Sequence, residues 1–139
     1  MAALTITAAS VQWQSGPIAQ DQIAGEAFAA GALVYRAANG TWLKAQCDGT
    51  AIEAGSEELG MALATADAAN ARVSIALPTA TISIGTGTAG VIYCPGRTAG
   101  TLIPSADLAS TDKVTVAALG IGSSKVYLTR VYNAGSALA

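Results

Sequence analysis

Apolar and polar residues alternate along most of this chain with a repeat of two residues. Aliphatic side chains occupy alternate positions in 4–8, 73–77 and 81–84, and the same alternation begins with Val126 and Leu128 in the segment 126–131. A repeat of two places the apolar side chains on one face of a β-strand. The pattern therefore predicts half-buried strands in antiparallel sheets.

Turn-forming residues separate these segments at short intervals. They are Asn39-Gly40, Asp48-Gly49, Gly85, Pro95-Gly96 and Asn133. Many short strands at such spacing are typical of a sandwich or a barrel. No segment keeps a helical repeat of 3.6 over three turns. We expect an all-β fold with almost no α-helix, specifically a jelly-roll-like antiparallel sandwich or barrel.

The most specific local prediction is a hairpin over 33–45. Asn39-Gly40 suits a two-residue turn, because both residues tolerate positive φ. Such a turn pairs Ala37 with Trp42 and Tyr35 with Lys44. It places Tyr35, Trp42 and Lys44 on one face of the hairpin.

A weak internal repeat has an offset near 60 residues. Gly40-Thr41-Trp42-Leu43 matches Gly100-Thr101-Leu102-Ile103, and Leu59-Gly60 matches Leu119-Gly120. Leu33-Val34-Tyr35 matches Val91-Ile92-Tyr93 at an offset of 58 residues. In each half, a connection leads from the Leu-Gly pair to another alternating strand, and this connection is shorter in the second half than in the first. We expect two similar β-units that pack on each other, since each unit alone would expose an apolar sheet face.

The length of 139 residues predicts a single domain, 1–139. The stretches 1–24 and 133–139 are candidates for extended arms. Apolar runs fall short of the ~20 residues of a membrane span, so no membrane partner is expected. The first ten residues carry no Lys or Arg, and we expect cytoplasmic synthesis with Cys47 and Cys94 reduced. A bridge between them stays open for the case that folding brings their Cα atoms within about 7 Å.

The chain is poor in charge: 12% of its residues are charged and the net charge is −2. So few charges suit a protein whose surface is largely covered by partners. Nucleic acid is not expected as a partner, because phosphate binding needs several Lys and Arg on one face.

Candidate chemistry is sparse. The sequence has no histidine, which removes histidine-based nucleophilic, acid–base and zinc sites. Glu57 and Glu58 are adjacent, and neighbouring strand residues point to opposite faces, so a catalytic pair is not expected. The Gly-x-Gly-x-x-Gly stretch 85–90 is followed by a strand-like run instead of the helix that a dinucleotide site requires. We expect neither an enzyme nor a cofactor or metal.

Candidate partner-binding residues are Trp13, Tyr35, Trp42 and Lys44. Trp and Tyr are enriched in the energetic centres of interfaces. The alternative is that the hairpin face with Tyr35 and Trp42 packs against a second sheet.

The run 25–35, the run 39–45 and the two Leu-Gly-aliphatic-small segments resemble the small capsid cement (decoration) proteins of tailed bacteriophages. This resemblance covers about residues 23–131 and rests on glycine and aliphatic patterns. It implies a homo-oligomeric virion protein with a jelly-roll-like or related β fold, on the outer surface of the icosahedral head, bound to the major capsid protein. A dimer is favoured over a trimer, since a two-fold clamp bridges two equivalent capsomer edges.

Two other functions stay open at this stage. A carbohydrate-binding β-sandwich would use exposed Trp or Tyr rings, with Trp13 and Trp42 as its candidates. A hydrolase would use a pair of carboxylates.

Overall fold

The alternating segments 73–77, 81–84 and 126–131 form β-strands in the computed structural model, which describes residues 4–108, 112–122 and 124–133. The predicted strand at 4–8 is wrong, because residues 4–7 have no regular secondary structure and a 3-10 turn begins at Ala8. The strands are β1 (Gln12–Ser15), β2 (Ile18–Ile23), β3 (Leu33–Arg36), β4 (Trp42–Lys44), β5 (Leu59–Ala62), β6 (Arg72–Ala76), β7 (Thr81–Ser83), β8 (Ile92–Pro95), β9 (Leu102–Pro104), β10 (Val114–Gly120) and β11 (Lys125–Asn133). The described helical structure is two short 3-10 turns, Ala8–Ser10 and Ser105–Asp107. The expected all-β fold is confirmed.

The strands build two antiparallel sheets. The first has six strands in the order β1-β7-β11-β10-β8-β9, and the second has five in the order β2-β6-β5-β3-β4. Their inner faces enclose a core that both sheets line, with Leu33, Leu59, Ile82, Tyr93 and Leu128 among its members. The fold is an antiparallel β-sandwich.

The two sheets repeat one topology. In the five-stranded sheet β3 pairs with β4 and β5, β5 pairs with β6, and β6 pairs with β2. In the six-stranded sheet β8 pairs with β9 and β10, β10 pairs with β11, and β11 pairs with β7. Strands β2–β6 and β7–β11 are thus equivalent units, one per sheet, and β1 extends the second sheet at its edge. The sequence repeat corresponds to this duplication.

The register corrects one part of the predicted repeat. Tyr35 and Tyr93 are equivalent and both lie in the core between the sheets. Tyr35 pairs with Leu59, whereas Tyr93 pairs with Ala118. Leu59 therefore corresponds to Ala118, and its predicted match with Leu119 is wrong by one residue. A shift of one position along a strand turns a side chain to the opposite face, so Leu59 is buried and Leu119 is exposed.

The hairpin loop is one residue longer than predicted. Strands β3 and β4 pair Tyr35 with Leu43 and Arg36 with Trp42, and Ala37 N–H donates to the Thr41 carbonyl at 2.7 Å. The loop is therefore Ala38-Asn39-Gly40, a tight turn closed by a left-handed glycine at φ 88°. The predicted pairings, and with them the shared face of Tyr35, Trp42 and Lys44, are wrong, because Tyr35 points to the opposite side of the sheet.

A second, smaller core lies on the outer face of the five-stranded sheet. Phe28, Val34, Trp42, Val73 and Ile75 are among its members. The connections 24–32 and 63–71 cover this face and are bound to each other by two backbone hydrogen bonds between Phe28 and Ala66, of 3.0 and 2.8 Å. The first unit thus buries both faces of its sheet within the chain.

Part of the predicted N-terminal arm 1–24 lies in the sandwich. Strands β1 and β2 are edge strands of the two sheets, and Leu4 N–H donates to the Leu102 carbonyl beside β9. Ile6 and Val11 pack against the central core. Of the other predicted arm, 133–139, residues 134–139 lie outside the described residues.

Candidate interaction surfaces

The four predicted binding residues do not meet in one place. Trp13 lies on β1 at the edge of the six-stranded sheet, while Tyr35, Trp42 and Lys44 belong to the five-stranded sheet. Trp13 is 46% exposed, and its indole N–H donates to the Gly16 carbonyl at 3.1 Å. It is the member of the set whose ring is open to a ligand.

Tyr35 and Trp42 are core residues on opposite faces of the same sheet. Tyr35 faces the core between the sheets, where burial, followed by the charges of Glu53 and Glu26, raises the pKa of its phenol. Trp42 is 1% exposed in the outer core, and its indole N–H donates to Gln22 Oε1 at 3.0 Å. In this chain both aromatic rings contribute to packing.

Lys44 is half-buried at the end of β4. Its backbone N–H donates to Glu26 Oε2 at 2.9 Å, so the segment preceding β3 covers this edge of the sheet. Its aliphatic stem lies over Gly100, where an added Cβ would come within 3.2 Å of two Lys44 carbons. The residue thus joins the two units at the surface.

A different set of residues forms an exposed apolar surface on and beside the strands of the six-stranded sheet. It lies on the outer face of the six-stranded sheet and is called here the open face. Its members are Ile92, Leu119, Ile121, Tyr127 and Val131. Tyr127 is half-buried. The exposed fraction of the other four residues ranges from 36% for Leu119 to 62% for Val131.

The pairing of the strands places Ile92, Leu119 and Tyr127 on one face. Ile92 pairs with Leu119, and Leu119 pairs with Tyr127. Their chain neighbours Tyr93 and Val126 belong to the inner core, so the alternation along a strand turns the paired row outward. The result is a continuous apolar row across β8, β10 and β11.

The open face is nearly free of charge. Lys125 is the charged residue among those that pair with Thr81 and Ser83 of β7 on this side of the sheet, and Gln12 and Ser15 of β1 add polar groups at its edge. Large apolar patches of this kind on a soluble protein mark interaction sites. The open face is therefore the strongest candidate interaction surface.

An ion pair with a buried carboxylate lies within the second unit, beside hydrogen bonds that join the two units. Asp112 is 2% exposed and receives two hydrogen bonds from Arg97, Nε to Oδ1 at 3.2 Å and Nη2 to Oδ2 at 2.5 Å. Lys113 N–H donates to the Cys47 carbonyl, and the Thr115 hydroxyl donates to the Ala54 carbonyl. These contacts tie the segment after β4 to the start of β10.

Both cysteines are buried and unpaired. Burial raises the pKa of the Cys47 thiol to about 12, with a smaller contribution from the charge of Asp112. Burial alone raises the pKa of Cys94 to about 11. Since the thiolate is the reactive form, both residues behave as packing residues.

The carboxylate of Glu53 has different surroundings from those of Glu57 and Glu58. Glu53 accepts hydrogen bonds from the Thr50 N–H and hydroxyl and from Gln46, and the Thr50 N–H contributes most to lowering its pKa. Glu57 and Glu58 are exposed beside a shallow groove of about 340 Å³, with Glu58 3.5 Å from Arg36. Within the described ranges, no group of three or more His, Cys, Asp or Glu residues has a metal-binding arrangement.

The glycine-rich stretch 85–90 is a loop. Gly85, Gly87 and Gly90 all have positive φ, and the strand β8 follows them. The predicted strand after this stretch is confirmed. In the part of the chain that the structure describes, no helix has the length and apolar character needed to cross a membrane.

Comparison with known proteins gives no relative from which a role could be taken. Neither protein-family models, nor curated proteins, nor solved structures match this chain. The functional interpretation therefore rests on the residues themselves.

Sequence reasoning missed the open face, although two signals pointed to it. The strand 126–131 is apolar on both faces, with Tyr127 and Val131 opposite Val126 and Leu128. The second connection of the repeat is shorter than the first. Together these features indicate a sheet whose second apolar face lacks a cover from its own loops.

Proposed function

We propose that this protein is a structural virion component that binds the outer surface of an icosahedral phage head and clamps neighbouring capsomers against the pressure of the packaged genome. The observation that carries the proposal is the open face, an apolar sheet surface on a chain with only 12% charged residues. The resemblance of residues 23–131 to capsid cement proteins supplies the partner, the major capsid protein.

A rigid sandwich suits such a role for energetic reasons. The two sheets share one core, so little conformational entropy is lost when a preformed face docks on a shell. Each docked copy adds buried area at a seam that internal pressure would open. A stable interface of this type buries about 1,600 Å² in total.

The proposal is tested on heads from which this protein is missing, prepared by deleting its gene from the phage that encodes it. Addition of the purified protein should raise the temperature at which the heads release DNA. Leu119→Lys places a charge in the middle of the open face and should reduce this protection. The same charge at Ala68, on the exposed connection over the five-stranded sheet, should leave it unchanged. Equal release temperatures with and without the protein would contradict the proposal.

Carbohydrate binding is the second candidate because Trp13 is exposed at a sheet edge. An exposed indole can stack on the apolar face of a sugar ring. Glycan binding by the wild-type protein that is lost in Trp13→Ala, together with no binding to heads, would favour this function instead.

A further inference from the structure

Within the described residues the two sheets end in four edge strands, and three of these edges are protected. The edge of β9 receives the Leu4 N–H at its Leu102 carbonyl, and the edge of β4 receives the Gly25 N–H at its Trp42 carbonyl. The edge strand β2 carries a charge at Asp21, whose φ of 54° lies at a shift of register. Cover, charge and bulges are the usual means by which proteins keep an edge strand from pairing.

The fourth edge strand, β1, has neither cover nor charge. All four of its residues, Gln12–Ser15, are exposed, and none of them is charged or a proline. In the described part of the chain, β7 is its single neighbour in the sheet. An edge strand directs the backbone N–H and C=O groups of alternate residues away from its neighbour. The backbone of another extended chain is the partner that can pair with such a row.

The strand β1 is itself an addition to the duplicated fold. The second unit ends at β7 in the same way as the first unit ends at β2. Strand β1 precedes both units in the sequence, and it pairs with β7 in antiparallel orientation with Trp13 opposite Ile82. This side of the sandwich therefore already accepts one extended segment from outside the units, and β1 presents the same kind of edge one strand further out.

The side chains of β1 define what an added strand must carry. Trp13 lies on the same face as the core residue Ile82, so its ring stands at the rim of the inner face, where it is 46% exposed. Gln12 and Ser15 lie on the other face. An alternating segment fits both faces when an aliphatic residue lies opposite Trp13 and small polar residues flank it.

We propose that β1 binds an extended, uncharged segment of another protein by strand addition, with Trp13 as the side-chain anchor. Backbone hydrogen bonds pair the two strands, and the ring selects the apolar residue. The register between β1 and β7 shifts at Gln14, and this bulge limits the new ladder to a few residues. We therefore expect a short and weak contact. The inference does not depend on the proposed binding to heads, because it uses a different surface from the open face.

A second copy of β1 is a poorer occupant of this edge. In an antiparallel pair of two β1 strands, the bulges of both copies would interrupt a ladder of four residues. A regular strand brings no bulge of its own. The strand β7, on the other side of β1, is an example of such a partner.

A peptide with the sequence of residues 79–85 is the probe, because it contains β7, which β1 already accepts. Lysines appended to one end keep it in solution. Titration into the ¹⁵N-labelled full chain should shift the amide NMR signals of Gln12–Ser15 to saturation, with a Kd of about 1 mM. Trp13→Ala should weaken binding at least about fivefold, because the ring is lost. Tyr127→Ala removes an aromatic ring from the open face of the same sheet, and this control should bind the peptide like the wild type.

N-methylated peptides distinguish strand addition from a contact of side chains alone. Successive residues of a strand direct their N–H groups to opposite edges. One peptide is methylated at the positions of Thr81 and Ser83, and the other at the positions of Ile82 and Ile84. One of the two should lose binding and the other should keep it, since one edge of the peptide pairs with β1 and the other faces solvent.

Four results would overturn the inference. The first is the absence of a saturable shift at about 5 mM peptide. The second is a shift that lies on the open face or that Trp13→Ala leaves unchanged. The third is an equal effect of the two methylated peptides. The fourth is glycan binding through Trp13 without any response to the peptide. None of these measurements uses phage heads, so this inference and the proposed function fail independently.

Discussion

Gly40 shows how a single residue sets the geometry of the first hairpin. Its φ of 88° closes the three-residue loop, and the nearest atom to an added Cβ is an Arg36 guanidinium nitrogen at 3.7 Å. A side chain therefore fits in space but strains the backbone. Gly40→Val should lower the free energy of unfolding by about 1–2 kcal/mol, the cost of a left-handed L-residue.

Gly122→Val provides the control for this prediction. Gly122 also has open space around its Cβ position, but its φ lies outside the left-handed range. Chemical denaturation of both variants should show destabilisation of Gly40→Val alone. Equal stabilities would place the strained turn elsewhere.

The ion pairs differ in strength because they differ in burial. Arg97→Ala leaves the buried Asp112 carboxylate without its guanidinium and should cost about 2–3 kcal/mol of stability. Arg36→Ala breaks a pair with Glu58 in which both side chains are about half exposed, and should cost less than about 1 kcal/mol. Urea unfolding of the two variants measures the difference. A larger loss in Arg36→Ala than in Arg97→Ala would contradict this assignment.

The cysteines predict a loss of stability at alkaline pH. The folded state holds both thiols protonated up to pH values near their pKa values of about 11 and about 12. The unfolded chain releases these protons near pH 8.5, so the free energy of unfolding should fall as the pH rises from about 8.5 to 11.

The slope of the free energy of unfolding against pH, compared between the wild type and a variant without thiols, distinguishes the contribution of the thiols from that of other groups that titrate in this range. The double variant Cys47→Ala with Cys94→Ala should show a shallower decline of stability with pH than the wild type, whatever its absolute stability. In addition, a thiol reagent at pH 8 should modify the native protein only on the timescale of its unfolding. Rapid modification of the native state would mean that a thiol is accessible.

At the level of elements, the sequence predicted strands better than it predicted their register. Alternation identified β6, β7 and β11, because their apolar positions follow the pleat. Asn39-Gly40 located the turn, but a dipeptide does not distinguish a two-residue loop from a three-residue loop. That single residue decides which side Tyr35 faces.

The repeat shows the same limit. Gly40 and Gly100 both have positive φ, and each ends a hairpin loop just before a threonine. The local match therefore reflects shared turn chemistry. Trp42 nevertheless packs on an outer face while Leu102 packs in the inner core, since the second loop has a different length.

The cover of the five-stranded sheet predicts unequal effects of two apolar truncations. Phe28 is buried between its connection and the sheet, so Phe28→Ala should cost about 3 kcal/mol. Ile92 is exposed on the open face, and Ile92→Ala should cost less than about 1 kcal/mol. In a Trp13→Phe background the emission comes from Trp42 and should shift to longer wavelength in Phe28→Ala. Similar stabilities of the two variants would mean that the connection contributes little to the fold.

At the level of the whole molecule, the duplication explains why one face stays apolar and exposed. Two equivalent units bury their inner faces on each other, as the sequence predicted. The outer faces differ because one connection between strands is long and the other is short. Burial could not be read from the pattern, since Tyr127 and Val126 are both apolar and alternation alone does not say which face lies inside.

Low charge and an uncovered face are the two features on which the proposed binding of a partner surface rests. The predicted anchor Trp42 is inside the fold, so the binding energy would have to come from aliphatic residues of the open face and from edges such as β1 with Trp13. This arrangement suits a broad surface with many weak contacts better than a pocket for a small ligand.

The central claim is that the protein binds a phage shell, and co-sedimentation measures this most directly. Purified protein is titrated onto undecorated heads, and the bound copies per head are counted after centrifugation. The proposal predicts saturable binding, with a fixed number of copies for each capsomer position, that Leu119→Lys weakens and Ala68→Lys does not. Protein that remains entirely in the supernatant at saturating concentration would contradict it.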